Sequence, residues 1–255
     1  MCLLLFSHEH HPNYKMIVAA NRDEFYNRPT KPAHFWEDKS FLLAGKDLQA
    51  GGTWLGITKQ GRFAAITNYR EMQNIIIDSP SRGKLVTDFL ENNASVKSYS
   101  GSLLNTAKLY NGYNLITMDS KEISYFSNKT NKVLTLSSGI YALSNHLLDT
   151  PWPKVEKSRK SFISIIDNKT ISTDDLFNVL SDTSTPPDEL LPDTGLELEI
   201  ERAVSPVFVA TPFYGTRSST VILIDRMNNV TFIEKSLNIA KNEWVWSSFQ
   251  FRIEQ

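Results

Sequence analysis

Short apolar runs separated by polar turns dominate both ends of the chain. The runs at 2–6 and 15–20 flank a polar turn and predict a β-hairpin at the N-terminus. The segments 51–58 and 62–69 flank the turn Lys59-Gln60-Gly61 and predict a second hairpin. Further strands are predicted at 113–118, 122–126, 132–136, 140–143, 207–211, 219–225, 230–234 and 244–252.

Helical patterns occur in the middle of the chain, in two blocks. The segment 81–92 carries Leu85, Val86, Phe89 and Leu90 at helical spacing, and a second helix is expected over 96–109. The second block contains helices at 155–166, after Pro153, and at 173–180, capped by Ser172 or Thr173. The proline-bearing segments 25–35 and 184–195 are expected to be loops.

This order of elements favours one α+β domain over residues 1–255. Strands come first, helices fall in the middle, and strands close the chain. Such an order suits two packed, mainly antiparallel sheets with helices on the outside, and it differs from the βαβ alternation of a Rossmann fold.

Composition narrows the class of protein. Hydrophobic residues make up 41% and charged residues 22% of the chain, as in a globular protein with a sizeable core. The formal net charge of −1 gives no electrostatic basis for binding nucleic acid or an acidic membrane surface. No apolar run is long enough for a transmembrane segment, and the short apolar start does not match a secretory signal. A cytoplasmic location is therefore expected.

Cys2 is the only cysteine, which excludes an internal disulfide and a multi-cysteine metal site. A lone cysteine is commonly a small buried hydrophobe. At position 2, however, removal of Met1 would leave Cys2 with a free α-amine whose pKa is about 8. That amine can act as the general base for its own thiol, so one residue would supply both nucleophile and base.

Four polar residues follow the second predicted strand directly, namely Asn21, Arg22, Asp23 and Glu24. In a hairpin they would emerge at the same end as Cys2, where Arg22 would fix a carboxylate and Asp23 would accept a hydrogen bond from the amine or thiol. Asn21 and Glu24 are candidate substrate-binding residues. The alternative is a solvated turn with a surface salt bridge.

Other candidate residues are less specific. Asn68 and Asn145 stand at strand ends and carry amide donors of the kind that oxyanion holes use, although strand-end asparagines also form turns. Arg217 would bind a substrate carboxylate or phosphate, or else be a surface arginine. Trp54 is either part of a ligand pocket or part of the core.

No metal or cofactor is predicted. His8, His10 and His11 lie in a short polar turn without a cysteine partner or a helical i, i+4 pair. The chain contains no GxGxxG, Walker-type, HExxH or GxSxG motif.

Taken in order, several blocks resemble the NRDE family. They begin with Met1-Cys2 and Ala19-Ala20-Asn21-Arg22-Asp23-Glu24-Phe25-Tyr26-Asn27-Arg28-Pro29, and continue with Gly51-Gly52-Thr53-Trp54-Leu55-Gly56-Ile57 and Thr67-Asn68-Tyr69. The later blocks are Ser81-Arg82-Gly83, Tyr110-Asn111-Gly112-Tyr113-Asn114-Leu115, Leu143-Ser144-Asn145, Thr150-Pro151-Trp152-Pro153-Lys154 and Tyr214-Gly215-Thr216-Arg217-Ser218. The resemblance spans nearly the whole chain.

The resemblance implies an N-terminal-nucleophile hydrolase-like fold, a four-layer αββα sandwich of two mainly antiparallel sheets. More distant relatives, the penicillin V acylases and bile salt hydrolases, carry a catalytic pattern similar to Cys2, Arg22, Asp23, Asn68 and Asn145. In those acylases the Arg and Asp are not adjacent. Neighbouring residues of a strand point to opposite faces, so Glu24 is an alternative to Asp23 unless the chain turns there.

Two functions follow from these observations. The first is a cysteine amidohydrolase that cleaves a non-peptide C–N bond in an acyl amide-like substrate, with Cys2 as the nucleophile. The second is a non-enzymatic binding or trafficking protein for haem, acyl-CoA or another lipid-derived ligand. The resemblance suggests this second function because eukaryotic family members are linked to Golgi organisation and to mitochondrial lipid or haem homeostasis.

Overall fold

A computed structural model describes residues 3–73 and 75–254. These residues form two compact units, each assembled from separate parts of the chain. The first unit contains the described part of Met1–Asn27, together with Ser138–Ser144 and Leu148–Gln250. The second contains the described parts of Arg28–Ser137 and Phe251–Gln255, together with Asn145–Leu147.

The described residues form thirteen strands and five α-helices. The strands are β1 (Leu3–His8), β2 (Tyr14–Phe25), β3 (Thr30–Trp36), β4 (Lys39–Asp47), β5 (Leu55–Thr58), β6 (Phe63–Asn68), β7 (Tyr113–Met118), β8 (Ile123–Ser127), β9 (Lys132–Thr135), β10 (Gly139–Leu143), β11 (Tyr214–Asp225), β12 (Asn229–Asn238) and β13 (Glu243–Arg252). The helices are α1 (Gly83–Glu91), α2 (Val96–Thr106), α3 (Pro153–Ile166), α4 (Thr173–Leu180) and α5 (Leu198–Ala203).

The sheet of the first unit has the order β10-β1-β2-β11-β12-β13. The predicted N-terminal hairpin is confirmed, because β1 and β2 pair antiparallel from Leu3 opposite Asn21 to His8 opposite Met16. Strand β11 pairs antiparallel with β2 along nearly its whole length. The sheet therefore places β2 between the first strand of the chain and a strand from the far end of the sequence.

One face of this sheet packs against α3 and α4. Alternate residues of the strands supply the sheet side of this core, and the helices supply the other side. Pro153 occupies the first turn of α3, and the Ser172 side chain caps α4 by accepting from the Asp175 amide. The core includes Leu3, Leu5, Ile17, Ala19, Phe162, Leu176, Leu180, Val221 and Leu223.

The second unit contains a seven-stranded sheet whose strands lie side by side in chain order from β3 to β9, and each strand is antiparallel to its neighbours. The predicted hairpin around Lys59–Gly61 is confirmed as β5 and β6. Helices α1 and α2 contact this sheet, and α1 buries the four apolar residues that its spacing singled out. Both sheets are thus antiparallel with attached helices, as expected for the α+β class.

Two of the sequence-based boundaries are wrong near β2. The strand does not end at Ala20, because β11 provides backbone partners for Asn21 through Phe25. The expected loop at 25–35 contains most of β3, which tolerates Pro32 because β3 is an edge strand that need not donate every backbone hydrogen bond.

The strand predicted at 207–211 is also wrong, since this segment contributes only an isolated bridge between Ala210 and Gly215. Its backbone is instead engaged by loop and side-chain partners: Phe208 donates to the Asp182 carbonyl, and the Val207 carbonyl accepts from the Asn21 side chain. Strand β4 and helix α5 had no counterpart among the predicted elements. None of the helices in the described part of the chain is long and apolar enough to cross a membrane.

Gly52 and Gly101 differ in the space around them, so alanine substitution at each tests the packing of the second unit. A methyl group at Gly52 would lie 2.6 Å from the backbone carbon of Gly83, whereas one at Gly101 would meet nothing within 4 Å. Gly52→Ala should therefore lower the free energy of unfolding by about 1–3 kcal/mol. Gly101→Ala, inside α2, should raise it by about 0.5–1 kcal/mol. Urea unfolding measures both, and wild-type stability of Gly52→Ala would contradict the close approach.

Candidate functional site

The polar residues after Ala20 lie beside the beginning of β1. Leu3 is opposite Asn21 on one side of β2, and Ser219 is opposite Asn21 on the other side. Arg22 follows and pairs with Ser218 of β11. Cys2, the predicted nucleophile, lies outside the described residues, and the site is therefore built from the strands that follow it.

Asn21 and Asp23 share the face of the sheet that packs against the helices. The Asn21 amide donates to the Leu180 and Val207 carbonyls at 2.8 and 2.9 Å, and its oxygen accepts from the Ser219 hydroxyl at 2.7 Å. Asp23 accepts from the Thr216 hydroxyl at 2.7 Å. These bonds tie β2 to β11 and to the end of α4.

Arg22 and Glu24 occupy the opposite face, as the alternation of an uninterrupted strand requires. The Arg22 side chain is buried, and its guanidinium lies 3.8 Å from the Glu24 carboxylate, which is 23% exposed. Since the strand does not turn, Arg22 and Asp23 point to opposite faces. The charged pair on the Arg22 face is Arg22 with Glu24.

A second set of polar residues shares this face and had no counterpart among the predicted site residues. Glu234 of β12 is buried, and its carboxylate accepts from the Ser236 hydroxyl at 2.7 Å and from the Thr220 hydroxyl at 3.3 Å. Ser236 and Ser218 are paired across β11 and β12. The sequence carries one signal for this set, because Glu234 and Ser236 continue the alternation of the apolar residues Val230 and Phe232. The structure buries all four side chains on one face of β12.

Arg217 sits at a β-bulge, because the register of β2 with β11 shifts by one residue between Thr216 and Ser218. Its guanidinium donates to the Phe25 and Tyr26 carbonyls at 2.9 and 3.1 Å. Burial lowers the pKa of Arg217, while Glu24 and Tyr26 raise it. Burial likewise raises the pKa of Tyr26. Arg217 is thus a buried arginine that holds the end of β2, and its role as a substrate ligand stays a prediction.

In the second unit, the structure brings Asn68 and Asn145 together. The Asn145 amide donates to the Asn68 carbonyl at 2.9 Å, and the Asn145 carbonyl accepts from the Arg70 amide. The Asn145 side-chain oxygen is buried and makes no hydrogen bond within the described ranges. An oxyanion hole requires hydrogen-bond donors, and the Asn145 side-chain donor is directed to the Asn68 carbonyl. The role of Asn68 and Asn145 in such a hole therefore remains a prediction.

Trp54 and His11 both make defined contacts within the fold. The Trp54 ring covers Gly45 so closely that a methyl group there would lie 2.4 Å from it. His11 is buried, and its Nδ1 accepts from the Asn13 amide. The other ring nitrogen, Nε2, therefore carries the proton that it shares with the Asn168 carbonyl. Both nitrogens of His11 are thus engaged by backbone groups.

The contacts of Asn21 indicate that its replacement weakens the fold. Asn21→Ala removes three hydrogen bonds of a side chain that is 0% exposed, leaving two carbonyls and one hydroxyl without this partner. We expect the free energy of unfolding to fall by roughly 2–4 kcal/mol. Glu24→Gln, on the same strand, should change it by less than about 1 kcal/mol. Chemical denaturation of the two variants checks this order, and equal losses would show that the Asn21 bonds contribute little.

Comparison with solved structures identifies the fold. The structure of a Caenorhabditis elegans N-acylethanolamine-hydrolyzing acid amidase ortholog matches with a TM-score of 0.50 at 12% identity. The match covers 87% of this chain and 92% of that chain. At this identity the likeness establishes the fold alone, which is the N-terminal-nucleophile hydrolase-like class that the sequence resemblance implied.

Sequence comparison extends over the whole chain. The Mus musculus Transport and Golgi organization 2 homolog is 35% identical over 276 residues, and the Homo sapiens homolog is 36% identical over the same length. Each match covers 100% of both chains. The family model described as Transport and Golgi organisation 2 matches residues 1–239. The chain therefore belongs to the Transport and Golgi organisation 2 family.

Proposed function

We propose that this protein is a cysteine amidohydrolase that cleaves the C–N bond of an acyl amide, with Cys2 as the N-terminal nucleophile after removal of Met1. The observation that carries the proposal is the burial of Arg22 beside the start of β1. Cys2 immediately precedes Leu3 in the sequence, and Leu3 pairs with Asn21, the neighbour of Arg22. A fixed guanidinium at this end of the sheet favours the anionic form of a nearby thiol.

In the proposed reaction, Cys2 supplies the nucleophilic thiol and the α-amine that carries each proton, and water is the second reactant. The α-amine takes the thiol proton, and the thiolate sulfur attacks the carbonyl carbon of the amide. When the tetrahedral intermediate collapses, the C–N bond breaks, and the leaving amine takes the proton from the α-ammonium. Water, deprotonated by the α-amine, then cleaves the thioester to release the carboxylic acid and restore the thiol.

Arg22 and Asp23 have separate roles in this proposal. Arg22 supplies positive charge on its face of the sheet, where it is also close to Glu24. Asp23 lies on the other face and accepts from Thr216, so we assign it to holding β2 against β11. Because the two residues are adjacent, unlike the Arg and Asp of the acylases, they lie on opposite faces of β2. Arg22 therefore stabilises negative charge on one face, and Asp23 supports the strand pairing on the other.

The fold supports an acyl amide as the substrate class. One solved structure that matches this chain is described as an N-acylethanolamine-hydrolyzing acid amidase ortholog, and an N-acylethanolamine is itself an acyl amide. Fold alone does not fix a reaction, so the proposal depends on Cys2 and Arg22 rather than on the match.

The first experiment combines intact-mass measurement with a screen of N-acyl amides. We expect the purified protein to lack Met1, and we expect the wild type to release carboxylic acid and amine in equal amounts. Cys2→Ala should abolish release, since no other cysteine is present. The detection of a covalent acyl adduct on the wild type alone would support the thioester step. Retained Met1, or equal turnover by Cys2→Ala, would refute the mechanism.

Arg22 should set the pH dependence of the reaction. Removing its positive charge in Arg22→Ala raises the pKa of a neighbouring thiol, so the ascending limb of the rate profile should move to higher pH. At neutral pH we expect kcat/KM to fall by roughly 10²-fold, in the range for loss of one charge-stabilising group. Arg226→Ala is a matched control, because Arg226 is 38% exposed and pairs with Glu9 at the opposite end of β11. An unshifted profile for Arg22→Ala would contradict the role of Arg22.

A second candidate is a non-enzymatic carrier of haem, acyl-CoA or another lipid-derived ligand. The observation that favours it is the whole-chain match to proteins described by transport and Golgi organisation rather than by catalysis. The same screen separates the two functions. Saturable binding of haemin or an acyl-CoA by the wild type, unchanged in Cys2→Ala and without turnover of any amide, would favour the carrier.

A further inference from the structure

Ser218 carries a hydroxyl group that is buried without a hydrogen bond. The residue is 4% exposed, and its Oγ has no partner among the residues that the structure describes. Most buried hydroxyl groups in proteins are hydrogen-bonded, because a buried polar group that loses water without gaining a partner costs free energy. The burial of this hydroxyl group without a hydrogen bond is therefore not explained by packing.

The surroundings of Ser218 are polar and already ordered. It pairs with Arg22 on one side and with Ser236 on the other. The Ser236 hydroxyl donates to Glu234, so it is directed to another acceptor. Ser218 thus has a cationic side chain on one neighbouring strand and an engaged hydroxyl on the other.

Ser219, the next residue, shows what a structural serine does in the same strand. It points to the opposite face and donates to the Asn21 oxygen at 2.7 Å. Ser219 is 4% exposed, as Ser218 is, so burial does not distinguish the two serines. They differ in face and in hydrogen bonding, and only the Ser218 hydroxyl faces the side of the sheet that carries Arg22.

We propose that the Ser218 hydroxyl binds the substrate by donating a hydrogen bond to an acceptor oxygen of the acyl amide. This inference rests on the proposed amidohydrolase function and adds a residue to its site. Arg22, directly opposite in the strand pairing, carries guanidinium N–H donors, and donors on both residues match a carbonyl or carboxylate oxygen and not a donor group. Binding of that oxygen would satisfy the Ser218 hydroxyl, so the site is incomplete until the substrate is bound.

The matched variants Ser218→Ala and Ser219→Ala test the proposal. Ser218→Ala should unfold at a temperature equal to or above that of the wild type, because it removes an unsatisfied hydroxyl, but its kcat/KM for the amide should fall about three- to tenfold. Ser219→Ala should unfold at a lower temperature and, assayed where it is folded, should keep kcat/KM within about twofold. A destabilised Ser218→Ala, or one with wild-type kcat/KM, would overturn the proposal.

Alkylation of the single thiol gives an answer even if no amide is hydrolysed. Iodoacetamide carries an amide carbonyl and iodoethane carries no acceptor oxygen, and both alkylate the thiolate of Cys2, the only cysteine, with loss of iodide. We expect Ser218→Ala to slow the reaction with iodoacetamide three- to tenfold and to leave the iodoethane rate unchanged, while Ser219→Ala changes neither rate. Unchanged iodoacetamide rates, or equal slowing of both reagents, would overturn the role of Ser218. Absence of amide turnover with the expected alkylation pattern would refute the proposed hydrolysis but not the Ser218 contact.

Discussion

The antiparallel pairing of β2 with β11 is the constraint on which the first unit depends. It supplies backbone partners to Asn21 through Phe25, which would otherwise be a polar segment after an apolar strand. Because these residues stay extended, their side chains alternate between two faces. One face receives Asn21 and Asp23, which hold the sheet to its surroundings, and the other receives Arg22 and Glu24. A single stretch of four polar residues therefore divides into a supporting pair and a charged pair.

Much of the fold could be predicted from hydrophobic periodicity. The hairpin of β5 and β6 and the helices α1 and α4 have strong local signals, namely a short glycine turn, a four-residue apolar stripe and a serine cap. The extension of β2 lacks such a signal, since its partner lies almost two hundred residues away in the sequence, as the Asp23–Thr216 contact shows. Long-range pairing overrode the local preference of Asn21–Glu24 for a turn.

The site was less predictable than the fold, for a similar reason. The position of Cys2 and the charge of Arg22 are visible in the sequence, but the face that each neighbour occupies depends on register. No local sequence pattern marks the polar residues that surround Arg22, and only the register of the sheet shows that they share its buried face. These residues are Ser218, Thr220, Glu234 and Ser236. Asn21 illustrates the opposite case. The sequence indicated it as a candidate substrate-binding residue, but its side chain makes three hydrogen bonds within the fold.

The bulge at Arg217 has a consequence for how this strand can change in evolution. The extra residue places Thr216 and Ser219, three positions apart, on the same face as Asp23 and Asn21, which are two positions apart. Deleting Arg217 would remove the bulge and leave Thr216 opposite Asp23 and Ser218 opposite Arg22, because the remaining residues would alternate regularly. Deleting Ser218 or Ser219 instead would turn a different residue toward Arg22 or Asn21. A one-residue deletion within 216–219 should consequently keep these facing pairs only at Arg217, while the turn that follows Asp225 can change length without altering them.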